Sequence, residues 1–147
     1  MQDELGEQCR REVIELHAFF QGWLGGVLPE DEETFARFTD AIGPEMMLVS
    51  TDGQLLSHDS LVAWIQHAYG SEPGFRLWVE NIQVRKAIGG VAVVLYEEWQ
   101  DRAAGRNVRQ STALFEVHKA APNGVRWLHV HETRLDEGTV KRQQEKI

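Results

Sequence analysis

Apolar residues recur at spacings of three and four from Asp3 to Leu24: Leu5, Cys9, Val13, Leu16, Phe20 and Trp23. That stripe predicts one amphipathic helix, with His17 on its edge and Gly25-Gly26 as its stop. A second, short helix is expected in "PEDEETFARFTDAIG", where Pro29 and acidic residues suit a helix start and Phe35 and Phe38 face inward. "EMMLVSTDGQLLS" reads as strand, turn, strand about Asp52-Gly53. "SHDSLVAWIQHAYG" predicts a third helix capped by Ser57 or Asp59, with Leu61, Trp64, Ile65 and Ala68 buried.

From Phe75 onward the period changes to two. "FRLWVENIQVRKA", "VAVVLYEEWQDR", "NVRQSTALFEVHK" and "VRWLHVHETRL" predict four long strands, joined at Gly89-Gly90, "AAGRN" and "APNG". Short breaks of this kind imply an antiparallel meander. Helices first and a long sheet afterwards give an α+β domain over residues 1–135, followed by a polar tail or short helix over 136–147. Three helices against one face of a bent sheet leave a conical pocket between the layers.

Composition narrows the function classes. The formal net charge is −8, which disfavours a nucleic-acid or anionic-membrane partner. Cys9 is the single cysteine, so no internal disulfide and no cysteine-based zinc site can form. The acidic start does not read as a signal peptide, and no apolar run approaches the roughly 20 residues of a spanning helix. A soluble cytoplasmic protein is the expectation. There is no Gly-rich phosphate loop and no Gly-x-Ser-x-Gly elbow.

"YEEWQ" (residues 96–100), "RQSTALF" (109–115) and "WLHVHET" (127–133) carry a resemblance to the SnoaL-like branch of the nuclear transport factor 2-like (NTF2-like) superfamily, the cystatin-like cone fold. The resemblance implies a cone-shaped curved antiparallel sheet, four long strands plus an N-terminal hairpin, packed on three N-terminal helices. It also implies a homodimer and either cofactor-free acid–base chemistry on a small molecule (isomerase, dehydratase or hydrolase type) or a non-catalytic ligand-binding or association module. The last strand is also similar to that of the association domain of calcium/calmodulin-dependent kinase II, where an arginine follows the second histidine. Here that position is Glu132. The similarity turns Glu132 toward the pocket and Trp127, His129 and His131 toward the outer face, where such domains dimerise.

Four candidates fall together if the "DRAAGRN" hairpin closes near Ala104. Trp99 then lies opposite Arg109 and Glu97 opposite Ser111, with Glu132 one strand further on. Glu97 or Glu132 is the candidate general base, and Arg109, Ser111 or His17 the candidate donor. The same cluster also reads as a cross-strand ion pair contributing ~0.2–1 kcal/mol. His129 and His131 could share a metal ion with Glu116 or His118, but their spacing is weak evidence, and an outward polar stripe at a subunit contact is the preferred reading. Cys9 reads as a small buried hydrophobe.

Overall fold

The computed structural model describes residues 2–136 and 138–140, and the remainder of the expected tail lies outside the described residues. The elements run α1 (Gln2–Leu24), α2 (Glu32–Thr39), β1 (Ile42–Val49), β2 (Leu55–Ser57), α3 (His58–His67), β3 (Arg76–Ile88), β4 (Val91–Arg102), β5 (Gly105–Val117) and β6 (Val125–Leu135). Residues 138–140 form a short helical stretch in which Val140 is buried.

α1 buries the predicted stripe, together with Glu12, His17 and Phe19. Phe20 packs at its margin. α2 begins later than its sequence suggests. Asp31, not Pro29, caps it, its Oδ1 accepting from Thr34 N at 2.8 Å. Ser57 caps α3 by accepting from Ser60 N. Leu61 and Ile65 are buried, whereas Trp64 is half-exposed rather than inward.

The six strands form one sheet in the order β2-β1-β6-β5-β4-β3. The meander β3 to β6 is antiparallel as expected. The hairpin β1–β2 joins it by pairing β1 with β6 in parallel, an edge that antiparallel reasoning did not include. Register shifts interrupt β3 between Glu80 and Gln83 and again between Val84 and Lys86. Asn81 takes φ 54° at the first of these. Bulges of this kind bend a strand and increase its twist. Here α1 lies along the bent strand, and Arg10 donates to the carbonyl of Ile82 at 2.8 Å.

Between sheet and helices, Val94, Ala113, Phe115, Val125 and Trp127 meet Val13, Leu16 and Phe38 in one apolar core. Glu12 is wholly buried within it. Its carboxylate accepts from Arg37 at 2.8 and 3.2 Å, from Asn123 at 2.9 Å and from Trp127 Nε1 at 2.9 Å. One carboxylate thus joins α1, α2, the β5–β6 loop and β6. A buried charge is tolerated only when its lone pairs are satisfied in this way. Beside it, burial and the Glu12 charge push the Cys9 thiol up to about 12, so this side chain behaves as an inert hydrophobe.

Candidate functional site

The β4–β5 hairpin decides which acidic side chain faces the helices. It closes on Ala103 and Ala104, with Arg102 opposite Gly105. Counting back, Glu98 lies opposite Arg109, Glu97 opposite Gln110, and Tyr96 opposite Ser111. This register is one residue away from the one expected, and a one-residue slip sends every side chain to the other face. Val94, Tyr96, Glu98 and Gln100 therefore belong to the inner set. Glu97 and Trp99 do not join Arg109 and Ser111 but lie on the opposite face. There Glu97 is buried and accepts from Trp99 Nε1 at 3.1 Å, while Trp99 stacks on Trp78 at 6.0 Å.

A second irregularity divides β6. Leu114 pairs with His129 but Phe115 pairs with Trp127, which leaves Leu128 as an extra residue. The bulge puts Trp127 in phase with Val130 and Glu132 rather than with the histidines. Trp127 is 2% exposed and packs on Phe115 at 4.4 Å. His129 is half-buried and His131 exposed. The expected outward trio thus loses its aromatic member to the core.

The inner residues line a cavity of about 190 Å³. Phe20, Phe38, Leu61, Phe75, Leu77 and Val130 are among its apolar walls, and the half-exposed Trp64 stands at its rim. Its polar groups are His17, Ser50, Tyr96, Glu98, Gln100, Arg109 and Glu132, with Arg102 beyond Gln100. His17 and Glu132, both expected here, are present together with Arg109. Glu98 takes the place expected for Glu97.

The hydrogen bonds form two sets. In the first, His17 Nδ1 lies 2.7 Å from the Val13 carbonyl and Nε2 lies 2.9 Å from Glu98 Oε1. The carbonyl can only accept, so Nδ1 carries a proton. The Nε2–Glu98 contact then needs one more proton, held by the imidazole or by the carboxyl. Gln100 Nε2 donates to the other Glu98 oxygen at 2.5 Å, and Arg102 donates to Gln100 Oε1 at 3.0 Å. Arg102 also pairs with Glu72 at 2.8 Å. A polar chain therefore runs from the centre of α1 to the segment that precedes β3. In the second set, Arg109 donates to Glu132 Oε2 at 2.8 Å. Glu132 Oε1 accepts no hydrogen bond among the described residues, and the buried Nε of Arg109 has no partner.

Burial opposes charge on His17, but the hydrogen bond and negative charge of Glu98 outweigh it and raise the imidazole above its ordinary pKa. Burial likewise opposes charge on Glu98, and His17, Arg109 and Gln100 together lower it. The pair is thus an imidazolium and a carboxylate. Glu132 goes the other way. Burial, then the Glu98 charge, push it up to about 7 against the pull of Arg109. Tyr96 is driven well above its ordinary value by burial and by both carboxylates. Two carboxylates of opposite tendency in one cavity form an arrangement able to hold and exchange a proton near neutrality.

Glu98, Tyr96 and Gln100 were not among the expected site residues. The available signal was the hairpin. A two-residue loop is the commonest hairpin connection, and placing it at Ala103-Ala104 sets Glu98 against Arg109. Glu12 carried no such signal, since it looks like any polar residue beside an apolar stripe.

A helix-backed, bent, unclosed sheet with a cavity between the layers defines an NTF2-like, cystatin-like fold. Solved structures agree. An NTF2-like protein of unknown function from Pseudomonas aeruginosa superposes with a TM-score of 0.80 at 23% identity, covering 88% of this chain and 99% of that one. The CaMKII hub of S. rosetta superposes with a TM-score of 0.56 at 14% identity, covering 72% and 83%. Within this fold the chain belongs to the sucrose-6-phosphate phosphohydrolase C-terminal family, whose model matches residues 9–136. Sucrose-phosphatase 2 of Nicotiana tabacum is 24% identical over 128 residues, and the probable sucrose-phosphatase 3a of Arabidopsis thaliana 20% identical over 130. These alignments take in 85% and 87% of the chain, which spans about 30% of the length of either relative. Among the described residues no helix is long and apolar enough to cross a membrane.

Proposed function

We propose that residues 1–135 form one small-molecule-binding domain in which Glu132 is the proton-transfer group of the cavity. The observation that carries this reading is the state of Glu132. It lines the cavity, one oxygen is held by Arg109 and the other is unbonded, and its pKa is pushed up to about 7. A carboxyl with these properties can accept or release a proton at neutral pH without a cofactor. Arg109 and His17 supply positive charge beside it, of use where negative charge develops on a ligand oxygen. The chemistry of this type is isomerisation, dehydration or hydrolysis. The family match over residues 9–136 supports a single domain of this extent.

The test is a ligand search by native mass spectrometry on the purified protein, followed by Glu132→Gln and Glu97→Gln. Glu132→Gln is expected to change affinity or turnover, and Glu97→Gln, on the opposite face, to leave both unchanged. Equal behaviour of wild type and Glu132→Gln with a bound ligand sinks the assignment.

A second reading, a homodimeric association module, draws support from structural likeness to the CaMKII hub and from the outward His129 and His131 beside the exposed Thr112. Its test is sedimentation of the His129→Ala/His131→Ala double variant. Loss of a dimer supports the module, and an unchanged mass counts against an interface at these residues.

A further inference from the structure

The cavity's charges are already matched inside the protein. His17 faces Glu98 at 2.9 Å and Arg109 faces Glu132 at 2.8 Å, while Arg102 is held by Glu72. An ionic ligand group would have to break one of these pairs and leave a buried charge without its partner, which is strongly unfavourable. The cavity nevertheless retains an unused hydrogen-bonding valence. Glu132 Oε1 is an acceptor without a donor among the described residues. A hydroxyl group satisfies it, because its O–H donates to a carboxyl oxygen. Most of the remaining lining is aliphatic or aromatic, as Leu16, Phe20, Phe38, Leu61, Ile65 and Phe75 show. A sugar, with hydroxyls on every side, would leave most of them unpaired against such walls. Size points the same way. An engineered apolar cavity of roughly 150 Å³ accepts benzene, and this one measures about 190 Å³. A disaccharide phosphate is several times larger than benzene.

Resting on the binding reading above, we infer that the pocket takes an uncharged, mainly apolar ligand bearing one hydroxyl group, of the size of a small substituted phenol, and does not take a sugar phosphate. The ring lies among the aromatic and aliphatic walls, and the hydroxyl donates to Glu132 Oε1. Trp64 and Trp127 line the cavity and report its occupancy by fluorescence.

The experiment titrates the full chain with 4-propylphenol, propylbenzene, sucrose, sucrose 6-phosphate and inorganic phosphate, following tryptophan fluorescence and calorimetric heat. The expected result is saturable binding of 4-propylphenol, about tenfold tighter than propylbenzene, the equivalent of one hydrogen bond. No binding is expected for sucrose or either phosphate. Glu132→Gln, which replaces the carboxylate acceptor by a weaker amide one, should reduce the tenfold preference for the phenol over propylbenzene. Saturable binding of sucrose 6-phosphate without binding of the phenol overturns the ligand class and leaves the binding reading standing. Equal affinity for phenol and propylbenzene also overturns it. Failure of every probe to bind folded wild-type protein overturns both.

Discussion

Replacing Glu132 by Gln should stabilise this protein at alkaline pH, although it removes one side of an ion pair. In the unfolded chain Glu132 titrates near its ordinary 4.5, and in the native state at about 7. Between those values the native state holds a proton that the unfolded state has released. Stability therefore falls as pH rises through that interval. A difference of about 2.5 pKa units at ~1.4 kcal/mol each corresponds to about 3 kcal/mol. Glu132 is only 8% exposed, so solvent screens this little. Glutamine imitates the protonated carboxyl and lacks the proton equilibrium. Below pH 4.5 the two proteins should be about equally stable, and above pH 7 the variant should be more stable by up to about 3 kcal/mol. For a chain of this length that is roughly 10 °C in Tm. The assay is scanning calorimetry of both proteins from pH 4.5 to 8.5, reading the difference in Tm so that other titrating groups cancel. Parallel Tm profiles, or a variant that loses stability relative to wild type as pH rises, would refute the raised pKa and with it the proton-transfer role of Glu132.

Other substitutions test the surrounding structure. Glu12→Ala, which strands Arg37, Asn123 and Trp127, should cost ~3–5 kcal/mol in urea unfolding; a loss under about 1 kcal/mol would show that these partners find water instead. Trp127→Ala should cost a similar ~3–5 kcal/mol as a core truncation and leave the sedimentation coefficient of the folded protein unchanged. His17→Gln removes the positive partner of Glu98, so the Glu98 carboxyl resonance should titrate at higher pH by NMR; an unmoved titration would mean that Arg109 and Gln100 hold it down without His17. Ser57→Ala should lower stability by about 1 kcal/mol through the lost cap of α3, measured by thermal unfolding.

The periodicities were informative about elements because each element has one buried side over most of its length. Leu5, Cys9, Val13, Leu16 and Trp23 are all buried in α1 as their spacing requires. Asp52-Gly53 does turn β1 into β2, with Gly53 at φ 82°. The site was less legible because it depends on which of two faces a strand presents. "YEEW" has a glutamate on each face, and only the exact hairpin closure tells Glu97 from Glu98. In "WLHVHE" strict alternation fails at the Leu128 bulge, which no local residue preference announces. His17 and Glu132 both line the cavity; His17 was legible as a polar group beside an apolar stripe, and Glu132 through the similarity of the last strand to the association domain. Glu98 was missed because its partner lies 81 residues away, on α1.

The Leu128 bulge also bears on how relatives of this chain should be matched to it. Upstream of it β6 serves the core through Trp127, and downstream it serves the cavity through Glu132. The segment thus contains two independent reading frames, each with its own selective demand. A relative that keeps the same residue count but pairs as a regular strand can turn the tryptophan inward or the glutamate inward, not both, whereas one that lacks the extra residue turns both inward without a bulge. The residue count between an inward Trp and an inward acid, rather than the His-x-His string between them, is the marker by which this arrangement can be traced from one chain to the next.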